Sequence, residues 1–116
     1  MKRFPIAALV VVLSSSTPAM AFDLTIRAAH VTQVDASLMP NDVFFRVDKG
    51  PLNSSSCPAG SDLHWLTPTT FSDVLTKQKN VEAVYSMLLA ANLSGRTVDL
   101  QGFASRCQVG SIDLNG

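Results

Sequence analysis

The stretch that decides the fold is residues 80–95, NVEAVYSMLLAANLSG. Asn80 is a good helix N-cap, because its side-chain oxygen can accept a hydrogen bond from an unpaired amide of the first turn. Gly95 can adopt the left-handed conformation that ends many helices. The pattern therefore predicts a helix that begins at Asn80 and ends at Gly95. One longer helix, residues 71–93, is an alternative that the apolar spacing allows.

Two faces of this helix are apolar. The first is a stripe at helical spacing, formed by Val81, Val84, Tyr85, Leu88 and Ala91. The opposite face is apolar in its second half, at Leu89 and Leu93, which predicts a second covering surface. Either a loop of the same chain, carrying Phe71 and Leu75, or another subunit could supply that surface. Leu89 and Leu93 are accordingly the candidate oligomer interface.

The remaining segments read as strands, because apolar and polar residues alternate along them. They are residues 22–34, 43–48, 63–66, 97–103 and 107–114. The alternation changes phase near Ala29 and His30, which predicts a bulge in the first strand. Gly110 predicts a second bulge, in the last strand.

The order of elements is three strands, one helix and two strands. It predicts an α+β fold that is mainly β. More specifically, five short strands with one helix between the third and the fourth indicate an OB-like Greek-key barrel.

The first 21 residues predict a signal peptide. Lys2 and Arg3 form a basic start, residues 6–13 are apolar, and Ala19-Met20-Ala21 is an A-x-A cleavage site. The apolar run is too short to span a bilayer. We therefore expect cleavage after Ala21, a single OB-like domain at residues 22–116, and a location in the bacterial periplasm or outside the cell.

The charge balance argues against nucleic acid as a partner. The chain has nine basic and nine acidic residues, and removal of Lys2 and Arg3 leaves seven basic residues and a net charge of −2. No cluster of lysine and arginine remains to bind a polyanion.

The two cysteines, Cys57 and Cys107, predict a disulfide, because an even cysteine count in an exported domain usually forms bridges. Closing a loop of this length stabilises the fold by roughly 4 kcal/mol on the chain-entropy model. A metal or redox pair is the alternative, but it lacks C-x-x-C spacing and further ligands.

Asp62, His64 and Trp65 are the candidate ligand-binding residues. An indole beside polar groups is a common sugar-binding platform, although a single tryptophan on a strand is also a common core residue. Alternation places His64 and Trp65 on opposite faces of the strand. The two histidines and Glu82 show no spacing that would assemble a catalytic pair, and no nucleophile motif is present. We therefore expect no catalytic residues, no metal site and no cofactor.

Residues 80–114 resemble the C-terminal half of the subtilase-cytotoxin B-subunit family, in which a helix leads into a strand, a late cysteine and a final strand. The matching residues are Tyr85, Leu88, Leu89, Ala91, Ser94, Gly95, Val98 and Cys107. The resemblance implies a secreted, disulfide-bonded OB-fold that assembles into a pentameric ring, binds a glycan and has an exported enzymatic partner chain. In such rings the helices line the central hole, which would cover Leu89 and Leu93.

The resulting functional hypothesis is an exported, non-enzymatic binding protein that self-associates and recognises a glycan. The alternative is a periplasmic inhibitor or accessory protein that binds another protein through the loop at residues 53–60.

Overall fold

The computed structural model describes residues 22–115; the predicted signal peptide at residues 1–21 and the last residue of the chain lie outside this range. The described part is mainly β-sheet with one α-helix, which confirms the predicted α+β class. Its elements are β1 (Leu24–Asp35), β2 (Phe44–Val47), β3 (Leu63–Trp65), α1 (Val74–Ser94), β4 (Thr97–Phe103), a 3₁₀ turn (Ala104–Arg106) and β5 (Gln108–Leu114). Within residues 22–115, no helix is both long and apolar enough to cross a membrane.

The five strands form one sheet that closes into a barrel, in the order β1-β2-β3-β5-β4. Closure comes from β4, which pairs with β5 on one side and with β1 on the other. All neighbouring strands are antiparallel except β3 and β5, which run parallel. The inward side chains of the strands fill the interior together with one face of α1.

Bulges bend two of the strands. In β1, Ile26 pairs with Leu100 and Ala29 pairs with Val98, so the extra residue lies at Arg27–Ala28. This position is two residues before the predicted Ala29 and His30, and Ala28 has a left-handed φ of 51° there. The bulge predicted at Gly110 is confirmed: the register between β4 and β5 shifts by one residue there.

Helix α1 begins earlier than the sequence predicts. Its N-cap is Asp73, whose carboxylate accepts a hydrogen bond from the amide of Thr76 at 2.9 Å. The prediction of Asn80 as N-cap is therefore wrong, and the longer-helix alternative is nearer to the structure. The predicted end is confirmed, because Gly95 has a φ of 75° and its amide bonds to the carbonyl of Ala91.

The core-facing stripe of α1 is the predicted one, with Val81, Val84, Leu88 and Ala91 buried. The helix packs mainly on β1, and near its end the side-chain amide of Asn92 donates to the carbonyl of Val31 at 2.8 Å. The first two turns extend beyond the buried stripe and are largely exposed. This overhang explains why the start of α1 carries little apolar periodicity.

The predicted disulfide is confirmed. Cys57 and Cys107 are bonded, with their Cα atoms 5.8 Å apart. The bridge joins the loop before β3 to the residue before β5, as expected from the order of the strands. Such a bond is stable in an oxidising compartment, which agrees with an exported protein.

Candidate functional site

Trp65, one of the three predicted ligand-binding residues, lies in the core. Only 9% of the residue is exposed, and its indole N–H donates to the side-chain oxygen of Asn80 at 2.7 Å. A ring buried on the inner face of β3 cannot offer its surface to a sugar. The sequence-based prediction of Trp65 as a platform is thus corrected: the indole fastens β3 to helix α1.

His64 faces outward, on the opposite side of β3 from Trp65, as alternation predicts. It lies directly across the strand pair from Phe44, and the two rings stack with centroids 5.3 Å apart and planes 20° from parallel. Both residues are half-buried. An aromatic surface therefore exists beside the predicted position, but Phe44 supplies it with His64.

Polar groups surround this stack. The Asp42 carboxylate lies 3.4 Å from Nδ1 of His64, which is buried and makes no hydrogen bond. Asp62, the third predicted residue, is exposed and pairs with Nε of Arg46 at 2.6 Å. We define the β2–β3 face as the outward surface formed by Asp42, Phe44, Arg46, Asp62 and His64. It combines the aromatic stack of Phe44 and His64 with negatively and positively charged side chains that can form hydrogen bonds.

The electrostatics of the β2–β3 face are set by short local contacts. The hydrogen bond that Arg46 donates to the Asp62 carboxylate raises the pKa of Arg46 above its ordinary value. Asp35, which pairs with Phe44 across β1 and β2, has a lowered pKa, mainly because the backbone amide and then the side chain of Ser37 hydrogen-bond to its carboxylate. The nearby Arg46 contributes least to this lowering. The carboxylate of Asp35 and the guanidinium of Arg46 thus remain charged at neutral pH.

The structure does not assemble an acid/base pair from the two histidines and Glu82. His30 lies beside a different carboxylate from His64: its Nδ1 is 3.1 Å from Asp48, which also accepts from the His30 amide at 2.7 Å. That amide is the main cause of the lowered pKa of Asp48. Glu82 is exposed on helix α1. Each histidine has a local partner of its own.

The candidate interface residues on α1 differ in exposure. Leu93 is 76% exposed, whereas Leu89 is half-buried within the same chain. Leu75, which the sequence analysis placed on a possible covering loop, belongs to α1 and is itself 58% exposed. The covering-loop interpretation is therefore wrong for Leu75, and the outer face of the helix keeps exposed apolar side chains.

Phe44 and Arg46 were not predicted from the sequence as members of a site with Asp62 and His64. The only sequence signal for these two residues is that they alternate with the apolar residues Val43, Phe45 and Val47 along their strand. The register between β2 and β3 brings these residues together, and that register is a long-range property.

Among residues 22–115, no group of three or more histidine, cysteine or acidic side chains is placed to hold a metal ion. No protein-family model, curated protein or solved structure matches the chain.

Proposed function

We propose that the protein is an exported, non-enzymatic binding module that recognises a glycan on the β2–β3 face and self-associates through the outer face of α1. The observation that carries the proposal is the half-exposed stack of Phe44 on His64 beside the charged groups of Asp42, Arg46 and Asp62. Sugars present apolar C–H faces and hydroxyl edges, and such a surface offers partners for both.

The barrel supports the same location. A closed five-stranded barrel with one helix between the third and fourth strands is the arrangement expected of an OB-fold, to which we assign the chain by this proposal. OB-folds bind oligosaccharides and oligonucleotides on the surface of their second and third strands. The absence of a basic cluster in the sequence favours the saccharide.

A glycan array with the mature protein tests the recognition. We expect a restricted set of bound glycans, and Phe44→Ala should reduce the signal of each at least about tenfold, the loss expected when an aromatic stacking partner is removed. Phe103→Ala is the matched control. Phe103 is also half-buried and lies in an aromatic pair, with Phe22, but it is on β4, two strands from His64 and outside the β2–β3 face. Equal losses in both variants, or none in either, would contradict the proposal.

Self-association rests on the exposed apolar side chains of α1, above all Leu93. Sedimentation velocity should detect an oligomer of the wild-type protein, and Leu93→Glu should shift it to monomer, because a carboxylate in an apolar contact is unpaired. Leu52→Glu is the control, since Leu52 is 70% exposed on a loop. A wild-type monomer at high concentration would remove this part of the proposal.

The resemblance to subtilase-cytotoxin B subunits adds two expectations. The oligomer would be a pentameric ring with the helices around its hole, and an exported enzymatic chain would be a partner. Both are independent of the glycan test, because the ring size comes from the oligomeric mass and the partner from co-purification.

A second candidate function is an inhibitor or accessory protein that binds another exported protein. The favouring observation is Leu52, exposed at the start of the loop that precedes β3. The loop is held firmly: the Leu52 amide donates to the carbonyl of Thr25 at 2.8 Å, and Cys57 anchors its far end. Pull-down from periplasmic extract should then depend on Leu52, and an unchanged set of partners with Leu52→Glu would exclude it.

A further inference from the structure

Beneath the overhanging first turns of α1 lies a cleft of about 370 Å³. Its lining residues are Pro40, Asn41, Thr67, Val74, Lys77 and Gln78. This volume is in the range of small-molecule sites, which usually measure about 300–1,000 Å³. The turn between β1 and β2 forms one wall, and the helix forms the other.

The helical wall is an extension of the core-facing stripe. Val74, Lys77 and Gln78 are spaced at i, i+3 and i+4, and Val81 continues the same face into the core. These side chains precede the first buried residue of the stripe, Val81, and line the cleft opposite the loop residues Pro40, Asn41 and Thr67. Val74 is 67% exposed. A lysine on the core-facing side of the helix is therefore directed to the cleft.

Among the described residues that line the cleft, Lys77 is the only charged one. Among residues 22–115, none of the three ion pairs includes it. Hydrogen-bonding side chains flank it on both walls, and one long bond of 3.4 Å, from Gln78 to Asn41, connects the walls. An anion in the cleft would meet one unpaired ammonium group and several neutral donors.

The cleft adjoins the β2–β3 face along the chain. Asn41 precedes Asp42, whose carboxylate lies against His64, and Thr67 follows two residues after Trp65. The β2–β3 face carries two carboxylates and one guanidinium that is already paired. Of these two surfaces, as described within residues 22–115, only the cleft carries a cation without an ion-pair partner. The two surfaces thus offer complementary chemistry to one ligand.

Resting on the proposed glycan recognition, we propose that the cleft under α1 is an anion subsite, in which Lys77 binds the carboxylate or sulfate group of an acidic saccharide. Pro40 and Val74 contact the apolar face of the same sugar ring. Asn41, Thr67 and Gln78 bind its hydroxyl groups.

The test is an NMR titration of the ¹⁵N-labelled mature protein with glucuronate, glucose 6-sulfate and glucose. These probes share one ring and differ in charge. We expect the two anions to shift the amide signals of the cleft residues, and glucose to bind there at least about tenfold more weakly, as expected when a charge-assisted hydrogen bond is absent. The anion that binds more tightly shows whether the acidic group recognised by the cleft is a carboxylate or a sulfate. Equal binding of glucose at the cleft would overturn the proposal.

Lys77→Ala should weaken glucuronate and glucose 6-sulfate about tenfold. Lys79→Ala is the matched control, because Lys79 is an exposed lysine of the same helix that does not line the cleft. It should change binding less than about twofold, the scale of distant surface charges. Equal effects of the two substitutions would overturn the proposal.

Failure here is distinguishable from failure of the proposed function. If array glycans bind in a Phe44-dependent manner but neither anion shifts the cleft signals, only the subsite is excluded. If the anions bind with Lys77 dependence while no array glycan binds, the subsite is supported and recognition on the β2–β3 face is excluded.

Discussion

Replacing Asn80 by alanine tests the placement of Trp65 in the core. The side-chain oxygen of Asn80 accepts a hydrogen bond from the indole N–H at 2.7 Å, in a partly buried contact. Asn80→Ala leaves that N–H without a partner. The indole N–H has then lost its hydrogen bond to water on folding without gaining one within the protein.

The magnitude follows from two opposing terms. Leaving a buried donor unpaired costs about 1–3 kcal/mol. Alanine is the better helix former at this interior position of α1, by up to about 0.7 kcal/mol. We therefore expect Asn80→Ala to lower the free energy of unfolding by about 1–2 kcal/mol. For a domain of this size, the melting temperature should fall by roughly 4–15 °C.

A double-mutant cycle with Trp65→Phe assigns the cost to the contact, because phenylalanine has no N–H to orphan. Urea unfolding of the disulfide-intact protein should give a coupling energy of about 1 kcal/mol between the two substitutions. Asp73→Ala is the control: it removes the true N-cap at a cost of about 1 kcal/mol but should show no coupling to Trp65→Phe. If Asn80→Ala costs as much in the Trp65→Phe background as in the wild type, the hydrogen bond is not the reason and this reasoning fails.

Gly102→Ala should destabilise the protein by more than about 3 kcal/mol, because the added methyl group would meet a β5 carbonyl oxygen and lie 2.8 Å from the Val109 Cα; Gly60→Ala, with a φ of 87° but open space, should cost about 1 kcal/mol. Equal midpoints in urea would contradict the close approach of β4 and β5. Asp99 has a pKa below its usual 3.8, chiefly because the Ala28 amide donates to its carboxylate. Its stabilising contribution is therefore present above the pKa of the unfolded chain and is lost as pH falls through the lower folded value. Asp99→Asn should lower the free energy of unfolding at pH 7 and reduce the loss of that free energy below about pH 4. Urea midpoints measured from pH 2 to 7 test this, and midpoints of the variant that fall in parallel with those of the wild type would exclude it.

Much of the barrel was predictable because local chemistry and tertiary structure agree there. The alternation of Val43, Phe45 and Val47 identifies the inward face of β2, and all three are buried. Strand β4 has its predicted limits. Gly110, which has no side chain, marks the bulge of β5 as predicted. The end of α1 was predictable because glycine, here Gly95, readily adopts the left-handed conformation that ends many helices.

The start of α1 was not predictable from periodicity. Its first two turns overhang the barrel, so no apolar stripe is required there, and the Lys77-Gln78-Lys79 segment resembles an interruption. Asn80 was an attractive cap by residue type, but its side chain is used by Trp65 from another element. The true cap, Asp73, lies within the longer-helix alternative at residues 71–93, so the apolar spacing allowed a helix there but did not identify where it begins.

The composition of the candidate site was partly predictable. Asp62 and His64 do belong to the outward β2–β3 face, whereas Trp65 points inward on the same strand. Alternation alone could separate His64 from Trp65 but could not decide which of them faces solvent. Phe44 joined the site through cross-strand register, which is a pairing between distant parts of the chain.

The most direct test of the central claim is an NMR map of the bound glycan. A glycan selected by the array should shift the side-chain and amide signals of Phe44 and His64 most strongly, while the Phe22–Phe103 pair stays unchanged. Largest shifts at the Phe22–Phe103 pair, or on the outer face of α1, would contradict recognition on the β2–β3 face.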